Sequence, residues 1–329
     1  MANLCVVGAG YWGKNLVRTF HELGVLYAVC DVNPATLRAF EEPHPDAQLI
    51  PDPRHVLEDS RIDAVAIAAP AELHFALAKQ ALEAGKHVFC EKPLALRASE
   101  GRMLCELADS AGRVLQVGHL LEFHPAVIAM ASLVAQGELG ELWYAWSNRL
   151  KFGRFRTEEN VLWSFAPHDI SILNAVLGRA PVQVSAASQT CVTQGVADVA
   201  VVRLEFAGAL RAHIHVSWLN PFPERKVVVV GSRRMAVFDD LAEGTQLQVF
   251  ETGQRREDGV PVALPVRGKP IETPGEPPLL AECRHFLDCI ERGVRPRTDG
   301  ESALKVLRVL EACQESMDTG GQTVEVASS

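Results

Sequence analysis

The sequence predicts two successive architectures: an N-terminal α/β doubly wound parallel sheet, then a C-terminal α+β domain with a large, mostly antiparallel, open sheet. Three observations carry this. Short apolar runs alternate with segments of helical periodicity through residue 118. A glycine-rich turn, Gly8-Ala9-Gly10-Tyr11-Trp12-Gly13, joins the first apolar run to the first such segment. From residue 142 onward the β-rich runs lengthen and follow one another directly, as antiparallel strands do.

Element by element, strands are expected near 4–7, 26–30, 64–68, 87–90 and 114–117, and helices near 14–24, 35–42, 72–84 and 97–111. A helix near 124–137 leads into strands near 142–152, 181–190, 196–206, 209–219, 225–231 and 246–250, with one helix near 168–177. His168 stands at the start of that last helix. Two amphipathic helices, Leu279 to Arg292 and Glu301 to Ser316, close the chain. The Pro, Gly and charge-rich stretch Gly253 to Pro278 reads as a mobile or partner-covered loop. The expected division is 1–121 and 122–329, with the closing helices able to pack back on the first domain.

Composition narrows the class. With 329 residues, 48% hydrophobic and 22% charged, the chain is long enough for two full cores. A net charge of −9 argues against nucleic acid or an anionic membrane as partner. No apolar run of about 18 residues appears, and Asn3 to Gly8 already reads as strand rather than signal peptide. The expected location is the cytoplasm. Eight cysteines without short paired spacings read as reduced core residues.

The turn carries chemistry because it sits where a strand becomes a helix. Gly8 permits the tight bend, Gly10 lets the backbone approach a pyrophosphate, and Gly13 lets helix pack on strand, while the helix N-terminus attracts phosphate. Tyr11 and Trp12 ride on the same turn. Asp31 ends the second strand, 18 residues after Gly13, the spacing at which a carboxylate reaches the ribose hydroxyls. It would repel the extra phosphate of NADP, and no Arg or Lys follows until Arg38, so NAD is the expected cofactor. Asn33 follows at the next helix start. At the end of another strand stands Glu91-Lys92-Pro93, where ligands of open α/β sheets bind. Lys92 there is a candidate to take or stabilise the proton of an alcohol during hydride transfer, with Glu91 beside it to orient it.

The turn, the stretch from Pro70 through His74 to Ala84-Gly85-Lys86-His87-Val88, Glu91-Lys92-Pro93 and the closing Pro296-Arg297-Thr298-Asp299-Gly300 together resemble the glucose–fructose oxidoreductase and inositol dehydrogenase (Gfo/Idh/MocA) family over nearly the whole chain. The resemblance implies an NAD-dependent sugar oxidoreductase with an N-terminal Rossmann domain. It also implies an open C-terminal sheet that packs on another subunit, giving a homodimer or homotetramer. Pro70 and His74 would border the cofactor. His168 would sit by the sugar hydroxyl, a second catalytic candidate beside Lys92.

Two departures stand out. Ser164 occupies the place, four residues before His168, of the family's usual aspartate, which shifts proton transfer onto Lys92 and His168. Glu122, in Gly118-His119-Leu120-Leu121-Glu122-Phe123-His124-Pro125, stands where an arginine is frequent, so the substrate differs. Asp169 reads as a helix-dipole partner.

The same stretch, with Asn148, Arg149, Lys151, Arg154, Arg156 and Asn160, resembles the subgroup that oxidises the 3-hydroxyl of UDP-N-acetylglucosamine. Its 3-keto sugar nucleotide would pass to a PLP-dependent aminotransferase in amino-sugar (lipid A or surface polysaccharide) synthesis. Four cations within eight positions, Arg149, Lys151, Arg154 and Arg156, suit a diphosphate, and Arg149 and Lys151 share a strand face. A solvated strand edge or a subunit contact is the plainer reading. Trp163 is a candidate to stack on uracil, or core. His119, Glu122 and His124 are pocket candidates, not a metal set. Open alternatives are the 6-carboxylate sugar nucleotide, a free sugar or inositol, ketone reduction, and a non-catalytic NAD-binding regulator.

Overall fold

The structure, a computed structural model, describes residues 2–153, 155–157, 159–251, 254–257, 260–263 and 267–327. The chain divides into two compact units. One comprises Met1–Phe123 and Glu276–Leu307, the other His124–Gly275 and Arg308–Ser329.

The first unit alternates strand and helix: β1 (Leu4–Val7), α1 (Gly13–Glu22), β2 (Leu26–Cys30), α2 (Pro34–Arg38), β3 (Gln48–Ile50), α3 (Pro53–Glu58), β4 (Ala64–Ile67), α4 (Ala71–Glu83), β5 (His87–Cys90), α5 (Ala98–Ala111) and β6 (Leu115–Val117), with a single 3₁₀ turn at Leu120–Phe123. All six strands run parallel in the order β3-β2-β1-β4-β5-β6. The order reverses between β1 and β4, which makes the carboxyl ends of those strands the switch point where ligands of such sheets bind. β1, β4 and β5 are wholly or nearly wholly buried, as strands covered by helices on both faces must be. Leu16, Val17 and Phe20 of α1 pack on Leu4, Val6 and Val29 in a core that Cys283 and Phe286 complete. Each of these large side chains gains about 1.5–3 kcal/mol from leaving water. β3 and α3 went unpredicted; the three residues of β3 lie too close to prolines to show a period.

The second unit opens with α6 (Pro125–Ala135), β7 (Leu142–Phe152) and α7 (Val161–Leu177). Strands follow: β8 (Gln183–Gln189), β9 (Val199–Glu205), β10 (Arg211–Ser217), β11 (Leu219–Gly231), β12 (Arg234–Asp239), β13 (Leu247–Glu251), β14 (Gln254–Glu257), β15 (Val260–Ala263) and β16 (Gly268–Ile271). Helix α8 (Pro278–Arg292) returns to the first unit; α9 (Gly300–Asp318) belongs to the first through Leu307 and to the second from Arg308; β17 (Val324–Glu325) ends the chain. A nine-stranded sheet has the order β16-β13-β12-β11-β7-β10-β9-β8-β17 and is antiparallel except at β10–β7. Helix α7 packs on β7, β9 and β10.

Two expectations need correcting. Helix α7 begins at Val161 rather than at His168, because Asn160 caps it, its Oδ1 accepting from Trp163 N at 3.2 Å, and Pro167 lies inside it. Proline removes one donor from the helix but does not oblige it to start there. The stretch from Gly253 to Pro278, read as a loop, contains the paired strands β14 and β15 and the sheet strand β16. Every cysteine is a free thiol, and seven are buried, but Cys191 is exposed. No helix among the described residues is long and apolar enough to cross a membrane.

Candidate active site

In the first unit, Gly8 has φ +87°, and a Cβ there would come within 2.7 Å of the Ala69 main-chain nitrogen. A Cβ on Gly13 would lie 1.9 Å from the Gly8 carbonyl oxygen. Both positions are therefore glycine for the turn's own sake. Gly10 differs: a Cβ there would meet nothing within 4 Å. Helix α1 starts with no side-chain cap and no acidic residue in its first turn, so its N-terminal N–H groups and dipole are left to an anion. Asp31 holds the turn in register, Oδ2 accepting from Ala9 N at 2.9 Å and Oδ1 from Asn33 N at 2.8 Å. A carboxylate offers about four acceptor directions, so capacity remains for ribose hydroxyls. These features fit a dinucleotide.

The neighbouring candidates have different tasks. Asn33 caps α2, its Oδ1 accepting from Ala35 N at 2.9 Å. Tyr11 is 73% exposed, with the Lys14 ammonium 5.6 Å from its ring centre. Pro70 precedes α4, and His74 is buried in that helix with Nδ1 2.7 Å from Pro93 O and Nε2 2.8 Å from Ala69 O. His74 thereby staples the loop after β4 to the lysine motif.

Glu91 receives the indole N–H of Trp12 on Oε1 and the main-chain N–H of Lys92, at 3.3 Å, on Oε2. Burial pushes its carboxyl up to about 7, against the pull of Trp12 and Lys92. His119, on the following strand's exit, is buried, and burial together with the nearby Lys92 lowers its pKa to about 3, so it is a neutral imidazole. The Glu122 carbonyl accepts from Arg297 Nη1 at 2.9 Å, and that guanidinium lies 5.5 Å from the Phe123 ring centre.

In the second unit, Arg149 and Lys151 do share one face of β7, and both meet α7. Arg149 Nε donates to Asp169 Oδ2 at 2.9 Å and Ser147 Oγ to Asp169 Oδ1 at 2.5 Å; Arg149 is 12% exposed and Asp169 1%. Asp169 is thus no helix-dipole partner, since the helix starts two turns earlier; it neutralises Arg149. The Lys151 ammonium stands 5.3 Å from the Phe165 ring centre, and Arg156 pairs with Glu159. Arg154 lies outside the described residues.

Asn148 donates to Glu224 Oε1 at 2.9 Å. Asn160 and Trp163 both donate to Gln314 Oε1, at 2.9 and 3.2 Å. His124 caps α6, its Nδ1 accepting from Ala126 N at 3.1 Å, with its ring against Phe238. His168 lies in the interior of α7, one turn after the buried Ser164.

Sequence reading missed the link between Trp12 and Glu91, the Arg149–Asp169 pair and the buried Glu282. Only Glu282 had a signal, an acid on the stripe that Cys283, Phe286 and Cys289 mark as core.

The chain is similar to known proteins over most of its length. Residues 2–119 match the oxidoreductase family with NAD-binding Rossmann fold, and residues 127–237 match the GFO/IDH/MocA C-terminal domain. The chain is 27% identical over 310 residues to UDP-N-acetylglucosamine 3-dehydrogenase of Acidithiobacillus ferrooxidans, covering 92% of this chain and 93% of that protein. The solved structure of that enzyme superposes with a TM-score of 0.84 at 25% identity, covering 96% and 97% of the two chains. D-apiose dehydrogenase of Paraburkholderia graminis is 25% identical over 98% of this chain and 89% of its own.

Proposed function

The chain belongs to the Gfo/Idh/MocA oxidoreductase family and is an NAD-dependent dehydrogenase, and we propose that it oxidises the 3-hydroxyl of UDP-N-acetylglucosamine to a 3-keto sugar nucleotide. The observation that carries the substrate is the likeness to UDP-N-acetylglucosamine 3-dehydrogenase, which extends over 92% of the chain. The observation that carries the chemistry is Lys92, placed just beyond the carboxyl end of β5 and bordered by His119, which stays uncharged.

NAD⁺, held at the glycine turn and Asp31, would supply the acceptor for the hydride of the carbinol carbon. As the neutral amine Lys92 takes the proton that the hydroxyl gives up, and as the ammonium it stabilises the developing alkoxide by donating a hydrogen bond. His168 in α7 is the second proton-handling group. Ser164 stands one helical turn earlier, where the resemblance implies an aspartate. Asp31 takes the ribose hydroxyls and excludes a 2′-phosphate.

The ketone is an electrophile that an amine donor converts to an amino sugar, so a PLP-dependent aminotransferase is the consumer we assign, in the cytoplasm. One face of the nine-stranded sheet carries the exposed Tyr144, Val201 and His213 with the half-buried Trp146, which suits a second copy of the chain.

The test is incubation with NAD⁺ and UDP-N-acetylglucosamine, with an aminotransferase and amino donor to pull the equilibrium, following NADH absorbance and sugar-nucleotide mass. A 3-amino product formed with NADH supports the reading. Silence with this substrate and turnover with its 6-carboxylate moves the assignment there. Full turnover in both Lys92→Ala and His168→Ala overturns the mechanism.

A further inference from the structure

Trp12 stands inside the glycine turn, yet its side chain is spent on the lysine motif. Its indole N–H and the main-chain N–H of Lys92 go to the two oxygens of the same carboxylate, Glu91. One side chain therefore joins the segment that binds the dinucleotide to the backbone of the reacting lysine.

The setting leaves that carboxylate little freedom. Glu91 is 8% exposed, and a Cβ on Gly118 would come within 3.0 Å of its carboxyl carbon. Gly118 is thus glycine because Glu91 lies over it.

Helix α8 closes the other side. Phe89 of β5 meets Phe286 of α8 with ring centres 5.8 Å apart. Glu91 is two residues farther along the same strand face, about 6.6 Å, and Glu282 is one turn earlier on the same helix face, about 5.4 Å. Gln116, cross-strand partner of Phe89, donates to the Glu282 carbonyl at 3.0 Å and fixes that register. Both acids are buried, and the charge of Glu91 acts on Glu282.

Their charges can be assigned. Neither carboxyl oxygen of Glu282 has a hydrogen-bond partner among the described residues, and burial, with Glu91 and Glu122 nearby, keeps it protonated. Glu91 has two N–H donors and Lys92. The other titratable groups around it are Cys90 on its strand, Cys283 on α8, whose thiols burial holds protonated, and the neutral His119 with Glu122 on the segment after β6. Burial places the Glu91 midpoint at about 7.

We propose that Glu91 is a positioning residue acting as a latch: ionised, it holds the dinucleotide turn and the lysine motif in one frame through Trp12, and on taking up a proton it loosens that hold. The indole bond is charge-assisted in the ionised form, about twice the strength of a neutral one, so the frame tightens as pH rises through the Glu91 midpoint. The inference relies on the proposed role of Lys92 only in its kinetic arm; the spectroscopic and binding arms read the latch by itself.

The experiment follows the ¹⁵N-indole resonance of Trp12 in the full-length protein from about pH 5.5 to about pH 8.5, spanning the Glu91 midpoint and the histidine range. The resonance is expected to titrate near 7, not to titrate in Glu91→Gln, and to keep its midpoint in Glu282→Gln. Trp12→Phe is expected to raise the NAD⁺ dissociation constant about tenfold, the worth of one hydrogen bond to a charged group, and to move the acid limb of the kcat profile to higher pH. A Trp12 resonance that does not titrate, or titrates unchanged in Glu91→Gln, overturns the latch. A midpoint that moves by about one pH unit or more in Glu282→Gln assigns the charge to the wrong acid and overturns it too. Loss of turnover in Lys92→Ala with the indole titration intact leaves the latch standing.

Discussion

Charge is handled in opposite ways in the two candidate regions. Around the glycine turn, the carboxylates Asp31 and Glu91 are held by N–H groups of the main chain and an indole, and the start of α1 presents its N–H groups without a cap. Along β7 and its exit, cations meet carboxylates of the same unit: Arg149 has Asp169 and Arg156 has Glu159. A region of oriented donors can take an anion without losing a bond. A region of closed ion pairs must break one first, which is costly where the partner is buried. Counting cations in the sequence therefore overstates how many are offered to a diphosphate.

The largest effect expected concerns the first region. Lys92→Ala should lower kcat about a thousandfold, within the range of a positioned acid or base, with NAD⁺ affinity and thermal stability close to wild type. A matching fall in stability would make Lys92 a structural residue and erase the contrast with Arg149.

Arg149 provides the reverse case. Arg149→Ala strands the Asp169 charge in the interior and should cost about 3 kcal/mol or more of folding free energy, read by denaturant unfolding. Replacing both, Arg149→Met with Asp169→Leu, should restore most of it. If Arg149→Ala instead raises the substrate KM with unfolding unchanged, the arginine is a ligand residue and the two regions are alike.

A smaller effect separates the buried acids. Glu282 has a folded-state pKa raised well above its ordinary value by burial, so ionisation is resisted in the folded chain and accepted in the unfolded one. The sign follows: stability falls as pH rises above the unfolded value. The Glu282→Gln variant lacks this loss, and its stability relative to wild type should climb by about 1.4 kcal/mol per pH unit between roughly pH 5 and pH 7. A flat difference would show Glu282 solvated or paired.

These contrasts explain what the sequence makes legible. The doubly wound sheet could be read because its strands are covered on both faces and its helices carry the core stripe in their own spacing, as Leu16, Val17 and Phe20 do. Gly8 and Gly13 declare themselves because a local steric need excludes every other residue. The Arg149–Asp169 pair stays hidden because it joins a strand and a helix 20 residues apart in sequence, and no periodicity records a partner. Helix α7 starts at Val161, ahead of the expected 168–177, because Asn160 caps it. Trp12 looks like an ordinary turn aromatic until Glu91, 79 residues away, accepts a hydrogen bond from its indole N–H.

The smallest effect tests why the middle glycine is there. Gly8 and Gly13 are fixed by contacts inside the turn, but a methyl group at Gly10 meets nothing within 4 Å, and Gly10 is not among the positive-φ glycines. Packing and backbone strain therefore give no reason for glycine at this position, and alanine should leave the folded protein unharmed or raise its stability by about 0.5 kcal/mol through a stiffer unfolded chain. What remains as a reason is the approach of the pyrophosphate to the backbone. Gly10→Ala should then raise the NAD⁺ dissociation constant about tenfold, close to 1.4 kcal/mol, with unfolding by denaturant at wild-type values or slightly above. Unchanged NAD⁺ affinity in this variant would place the pyrophosphate elsewhere on the turn, and would leave the first region with one fewer feature shaped by its ligand rather than by its own fold.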